Sequence, residues 1–141
     1  MSKAIDELQA AQKRAFAIRP KVGGFPYLAE ALRAAGVRRN LWYLPSCQSI
    51  YLTQYGPVVM QGAPLISGIA DVPRFDREAL VRALRTDQAG ESTFPEFVAA
   101  AWNAGVVHYD VDLEARAVAY HGCSGEKYIE EYPAVSIAQG S

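Results

Sequence analysis

The spacing of apolar positions switches twice along the chain from a period near 3.6 to a period of 2. Helices are predicted over 4–15 and 76–84, and the second has acidic residues early and Arg85 late, in agreement with the helix dipole. Further helices are predicted to begin at Phe25 and Phe94, where a proline follows directly. Alternating or short apolar runs predict strands over 37–44, 49–53, 58–61, 106–113, 117–121 and 126–132.

Two stretches of the chain resemble each other. Phe25–Val37 (FPYLAEALRAAGV) aligns without a gap with Phe94–Val106 (FPEFVAAAWNAGV), at a constant offset of 69 residues. In the second stretch Thr93 and Glu96 have the spacing of a capping box, which predicts a well-capped helix start. The first stretch has Gly24 in place of the threonine, so its cap is expected to be weaker.

This repetition predicts the architecture. We expect two similar helix–helix–β-hairpin units, about residues 4–62 and 73–135, joined by a segment rich in glycine and proline. The fold class that follows is α+β, a two-layer sandwich of one antiparallel sheet with helices on one side. A chain of 141 residues suits a single domain over 1–141.

Composition and charge narrow the possible partners. Fourteen lysine and arginine residues against fifteen acidic ones leave a formal net charge of −1, which predicts neither nucleic acid nor a membrane as partner. The N-terminal residues lack an apolar run typical of a secretory signal, and no stretch is apolar enough to span a bilayer. With only Cys47 and Cys123, far apart, the prediction is a cytoplasmic protein with reduced thiols and no cofactor.

The second half of the chain resembles a known family. The segment FPEFVAAAWNAGVVHYDVDLEARAVAYHG, together with EKYIEEYPAV near the C-terminus, is similar to the YdfO-like family of uncharacterised bacterial proteins, some labelled phage envelope protein. The resemblance is densest over Thr93–Val135, and Phe25–Thr53 looks like the second copy found in longer members. It implies an α/β two-layer sandwich and supplies no activity and no catalytic residues.

Two histidines are predicted to meet across a hairpin. A two-residue loop at 114–115 keeps the apolar residues of the flanking strands on one face and places His108 directly opposite His121. Asp110 shares their side of the strand. Two imidazoles and a carboxylate are suited to acid–base chemistry, so His108, His121 and Asp110 form the candidate catalytic set. The alternative is an ordinary solvated sheet face, on which polar residues are expected.

The next turn extends this set. If 122–125 is a four-residue loop, His121 faces Glu126, and Tyr128 and Glu130 lie on the same side. His108, His121 and Glu126 are then the candidate ligands of a divalent metal.

Aromatic residues gather in the first unit. Trp42, Tyr43 and Tyr51 lie close in sequence to Arg39, a composition that is typical of ligand pockets and interfaces. These four are the candidate ligand-binding residues; the alternative is that the aromatics form core and cross-strand pairs. The strand at 41–44 is apolar throughout, so we expect it to be covered on both faces, by the other unit or by a partner chain.

No nucleophile elbow, zinc-protease or phosphate-loop motif is present in the sequence. The predicted function is a non-catalytic module that binds a small molecule or a partner protein, with a homodimer as one possibility. The alternative is a small enzyme or metal-binding protein that uses the histidine and carboxylate face.

Overall fold

The computed structural model describes residues 2–137 as four helices and six strands in a repeating order. Met1 and residues 138–141, which the single-domain prediction includes, lie outside the described residues. The elements of the first half are α1 (Lys3–Ile18), α2 (Phe25–Ala34), β1 (Val37–Tyr43), β2 (Gln48–Thr53) and β3 (Gly56–Gln61). Those of the second half are α3 (Arg77–Gln88), α4 (Phe94–Asn103), β4 (His108–Asp112), β5 (Ala117–His121) and β6 (Lys127–Glu131).

The six strands form one sheet in the order β3-β2-β1-β4-β5-β6, and every neighbouring pair is antiparallel. The first strands of the two halves, β1 and β4, lie side by side at the centre, with Leu41 opposite Asp110. Helices pack on one side of this sheet. The predicted α+β sandwich of two similar helix–helix–hairpin units is confirmed by this order of elements.

The helix ends follow from local sequence. Thr93 accepts a hydrogen bond from the backbone N–H of Glu96, and the Glu96 carboxylate accepts one of 2.8 Å from the N–H of Thr93, which confirms the capping box. At the start of α2, Gly24 makes no side-chain cap, as expected. Both Gly36 and Gly105 have left-handed backbones, with φ of +93° and +88°, which end α2 and α4.

Alternation along the strands places the core between the sheet and the helices. Tyr51, Tyr109 and Tyr120 all point toward the helices and are buried. They pack in one cluster with helix residues such as Leu8 and Leu80. Burying side chains of this size on one face of a sheet is what fixes its register, because a slip of one residue would expose them.

The register of β6 differs from the expectation. His121 pairs with Lys127, not Glu126, because five residues rather than four separate the paired positions. A shift of one residue moves a whole strand's side chains to the other face. Glu130 therefore lies opposite Val118, and Tyr128 opposite Tyr120, both on the helix side. The prediction that Tyr128 and Glu130 share the histidine face is wrong.

Candidate functional site

The sheet face that points away from the helices, called here the open face, carries the candidate residues. Cross-strand pairing arranges its side chains in three rows that run from β3 to β6. The first row is Gln61, Gln48, Tyr43, His108, His121 and Lys127. The middle row is Val59, Ile50, Leu41, Asp110, Ala119 and Ile129. The third row is Pro57, Leu52, Arg39, Asp112, Ala117 and Glu131.

The middle row is apolar except at Asp110. Val59 and Ile129, at its two ends, are 60% and 53% exposed. Ile50 and Leu41 between them are half-buried by neighbouring side chains, since no helix in the described part of the chain covers this side. Apolar side chains aligned on one surface favour contact with another surface.

The predicted pairing of His108 with His121 is confirmed. The two residues are cross-strand partners on β4 and β5, and their rings stack with centroids 4.3 Å apart and planes 11° apart. Both are half-exposed, and the ring of Tyr43 lies 5.9 Å from that of His108 on the β1 side. Burial and the neighbouring His108 lower the pKa of His121 below its usual value.

The carboxylate of Asp110 is paired with an arginine on β1 rather than with either histidine. Its carboxylate forms a two-point ion pair with the guanidinium of Arg39 on β1, through Nε at 3.2 Å and through Nη2. The hydrogen bond that the Arg39 guanidinium donates to Asp110 raises the pKa of Arg39. The candidate catalytic residues His108, His121 and Asp110 thus share the open face, while the carboxylate is held by an arginine.

The candidate metal ligands are not assembled as a set of three. Glu126 lies in the turn before β6, where its Oε1 accepts a hydrogen bond of 2.9 Å from the backbone N–H of Ser124. Within residues 2–137, no group of three histidine, cysteine, aspartate or glutamate side chains is arranged to hold a metal ion. What the fold brings together is the pair His108 and His121.

The four candidate ligand-binding residues lie on opposite sides of the sheet. Tyr43 and Arg39 are on the open face. Trp42 points to the helix side, where its ring lies 5.1 Å from that of Phe94 and stacks on Tyr109. Tyr51 is a core residue, 7% exposed. The structure thus brings Tyr43 and Arg39 to one surface and does not bring Trp42 and Tyr51 to it.

Burial favours the neutral form of one thiol and of two phenols elsewhere in the fold. Burial raises the pKa of the Cys47 thiol, which reduces its thiolate fraction. Burial also raises the pKa of Tyr109 and of Tyr120, so these phenols stay neutral in the core.

One open depression adjoins the third row. It has a volume of about 360 Å³ and is lined by Arg38, Arg39, Leu52, Thr53, Asp112 and Glu114. Its charged side chains carry both signs, two basic and two acidic, so it favours no ion of one sign.

Sequence reasoning missed the apolar middle row. Ile50 and Val59 were expected only as parts of strands, although period-two alternation would place them on the face opposite Tyr51 and Val58. The expectation that the strand at 41–44 is apolar on both sides did point to Leu41, which faces outward beside Ile50. The exposed apolar surface was therefore visible in the alternation of β2 and β3.

Comparison with known proteins places the chain in a family. A family model described as a protein of unknown function, DUF1398, matches residues 13–131. The chain belongs to this family. The match includes all six strands and so covers the whole open face.

Relatives that align with all 141 residues of this chain occur in mycobacteria. An uncharacterized protein of Mycobacterium tuberculosis is 58% identical over 141 residues, which is 100% of this chain and 86% of the relative. An uncharacterized protein of Mycobacterium bovis matches to the same extent. Among the helices of residues 2–137, none has the length and apolarity needed to cross a membrane.

Proposed function

We propose that the protein is a non-catalytic binding module that associates with another protein chain through the open face of its sheet. The observation that carries this proposal is the apolar middle row, in which Val59 and Ile129 are exposed and Ile50 and Leu41 are half-buried, on a face that no helix of residues 2–137 covers. A one-sided antiparallel sheet normally presents polar residues to water. Val59, Ile50, Leu41 and Ile129 depart from that expectation.

The chemistry of the face favours a protein as partner. The surface is a broad sheet, and its charges alternate in sign: Arg39 and Lys127 against Asp110, Asp112 and Glu131. Nucleic acid would require an excess of positive charge. Apolar side chains flanked by uncharged polar residues and by charges of both signs are the usual composition of a protein interface.

The specific partner that we propose is a second copy of this chain, because the three rows are complementary to themselves. Two sheets that pack face to face about a two-fold axis parallel to the rows bring the first row of one copy against the third row of the other. The middle row then packs on itself, and Ile50 and Leu41 meet their own equivalents. Asp110 also meets its equivalent, where each carboxylate is already neutralised by Arg39.

Opposite charges face each other in this arrangement. On β6, Lys127 of one copy meets Glu131 of the second copy. On β4, His108 meets Asp112, and on β1 the Tyr43 ring meets the Arg39 guanidinium, a favourable cation–π combination. Complementary charges fix the orientation of two surfaces more than they add affinity.

The sheet edges favour the face over the edge as the contact. Pro57 lies on edge strand β3, and β6 carries Lys127, Glu130 and Glu131. Proline and charge on edge strands disfavour pairing with another sheet. The face presents three rows of six side chains, slightly fewer than the roughly 20–30 residues a side of a standard interface. We therefore expect a dimer that dissociates on dilution.

Sedimentation velocity over a concentration series tests the proposal. Wild type is expected to shift from monomer to dimer as concentration rises. Ile50→Lys is expected to stay monomeric, because in a dimer its ammonium group would be buried in the interface against the same group of the second copy. Lys127→Glu should weaken the dimer by placing two glutamates together. Lys127→Glu combined with Glu131→Lys should restore it, since the charge pair is reversed but kept.

Arg82→Glu, an exposed charge reversal on α3, is the matched control and should leave the dimer unchanged. A wild-type chain that stays monomeric at every concentration would overturn the proposal. So would a dimer that Ile50→Lys leaves intact, or one that the double charge reversal fails to rescue.

We also propose that residues 1–141 form a single cytoplasmic domain that arose by duplication of a YdfO-like unit. Central pairing of β1 with β4, which joins both halves in one sheet, supports a single domain. The constant offset from α2 to α4 supports duplication, since Phe25–Ala34 and Phe94–Asn103 are both 10 residues long. Free Cys47 and Cys123 are compatible with a reducing compartment.

A further inference from the structure

The stacked histidines at one end of the open face are a chemical feature that dimer formation does not use in full. His108 and His121 are the only histidines in the chain, and the fold places them on adjacent strands with near-parallel rings. The separation of 4.3 Å between ring centroids keeps the ring nitrogens of both residues within one small region of the surface.

We propose that His108 and His121 form a two-histidine site for a late first-row transition-metal ion, of which Ni²⁺, Cu²⁺ and Zn²⁺ are the members to expect. Such ions bind imidazole nitrogen at about 2.0–2.1 Å, so two nitrogens on one ion lie about 3 Å apart. Each coordinating lone pair lies in the plane of its own ring, so the stacked rings, 4.3 Å apart and 11° from parallel, must turn out of their stack about their side-chain torsions before both nitrogens reach one ion.

The surroundings select the class of metal. Imidazole suits nickel, copper and zinc, whereas magnesium and calcium need several oxygen ligands. The nearest carboxylate along β4, that of Asp110, is already paired with Arg39 and offers no such set. Water completes the coordination around two protein ligands, and the positive charge of Lys127 beside His121 limits the affinity.

The first unit lacks an equivalent site. At the same offset of 69 residues, the positions of His108 and His121 correspond to Arg39 and Leu52, which pair across β1 and β2 in the same manner. One chain is therefore expected to bind one ion.

The experiment titrates untagged protein with Ni²⁺ and follows both calorimetric heat and the imidazole proton resonances. It uses the Ile50→Lys variant, which is monomeric if the dimer proposal holds, so that the metal site is tested separately from association. With only two histidines, each imidazole signal is assigned by its own substitution. We expect one Ni²⁺ per chain and paramagnetic broadening of both imidazoles at the same metal concentration.

His108→Ala and His121→Ala are each expected to weaken Ni²⁺ binding at least tenfold, because one imidazole cannot chelate. Arg82→Glu, an exposed charge reversal on α3 that removes no imidazole, is the control and should leave binding unchanged. In the His108→Ala, His121→Ala double variant, adding Arg39→His and Leu52→His should recover binding. Undetectable binding, or Ni²⁺ binding that survives loss of both histidines, would overturn the site.

Discussion

The carboxylate of Glu130 on β6 lies 2.7 Å from the guanidinium of Arg85 on α3. The same carboxylate accepts hydrogen bonds from the side-chain amide of Gln88 and, at 2.8 Å, from the hydroxyl of Tyr128. Burial alone would raise the pKa of Glu130, but these three donors outweigh it and lower the pKa. This network of hydrogen bonds and an ion pair joins the edge strand β6 to helix α3.

We expect Glu130→Gln to lower the free energy of unfolding by about 1–2 kcal/mol, because it replaces charge-assisted hydrogen bonds with neutral ones. The expected loss is modest because about half of the Arg85 side chain is exposed, so that water screens its charge. Urea denaturation measures the change. Glu91→Gln, an exposed loop substitution, should leave stability within error, and equal stabilities of the two variants would contradict the role of Glu130.

Neighbouring aromatics on β1 are expected to differ sharply in their contribution to stability. Trp42 packs between Phe94 and Tyr109, whereas Tyr43 is on the open face. Trp42→Ala should cost about 2–3 kcal/mol of unfolding free energy, and Tyr43→Ala under about 1 kcal/mol. Thermal unfolding at a concentration where the chain is monomeric makes the comparison. A larger loss at Tyr43 would contradict the assignment of faces.

The N-cap of α4 is expected to contribute measurably to stability, unlike a threonine hydroxyl elsewhere in the helix layer. Thr93→Ala removes the cap of α4 and should cost about 1 kcal/mol. Thr86→Ala, in the last turn of α3, removes only a hydroxyl that donates to the Arg82 carbonyl and should be neutral or slightly stabilising. Denaturant midpoints with constant slope measure both changes, and a Thr93→Ala midpoint equal to that of Thr86→Ala would contradict the cap.

Adding the missing cap to α2 is not expected to help. Serine is a better N-cap than glycine, yet a Cβ at Gly24 would clash with the carbonyl oxygen of Pro20. Gly24→Ser should therefore leave the thermal midpoint unchanged or lower it. A clear rise in the midpoint would show that the loop before α2 adjusts without cost.

The sequence predicted most of the fold because its strongest patterns are local. The caps at Thr93 and Gly105 and the alternation around Tyr109 depend on neighbours a few residues apart. The register of β6 depends instead on the length of one turn, and counting it one residue short put Glu130 on the wrong face. For the same kind of reason, Trp42 and Tyr43 are adjacent in the chain but separated by the sheet.

The stability of the fold should fall in mild acid partly through His121. Burial, the charge of His108 and that of Lys127 lower its pKa in the folded state, with Asp110 opposing them. The unfolded chain, with a histidine pKa of about 6.5, then binds the proton more readily than the folded one. The folded state is therefore favoured fully above the unfolded histidine pKa, and this advantage is lost as the pH falls below that value toward the lowered pKa of folded His121.

Urea denaturation at pH 7.5 and at pH 5.5 measures how much unfolding free energy each protein loses in acid. His121→Gln should lose less than wild type. His108→Gln should reduce the loss in part, because it removes one of the charges that lower the pKa of His121. If all three proteins lose the same stability between the two pH values, His121 is not the group responsible.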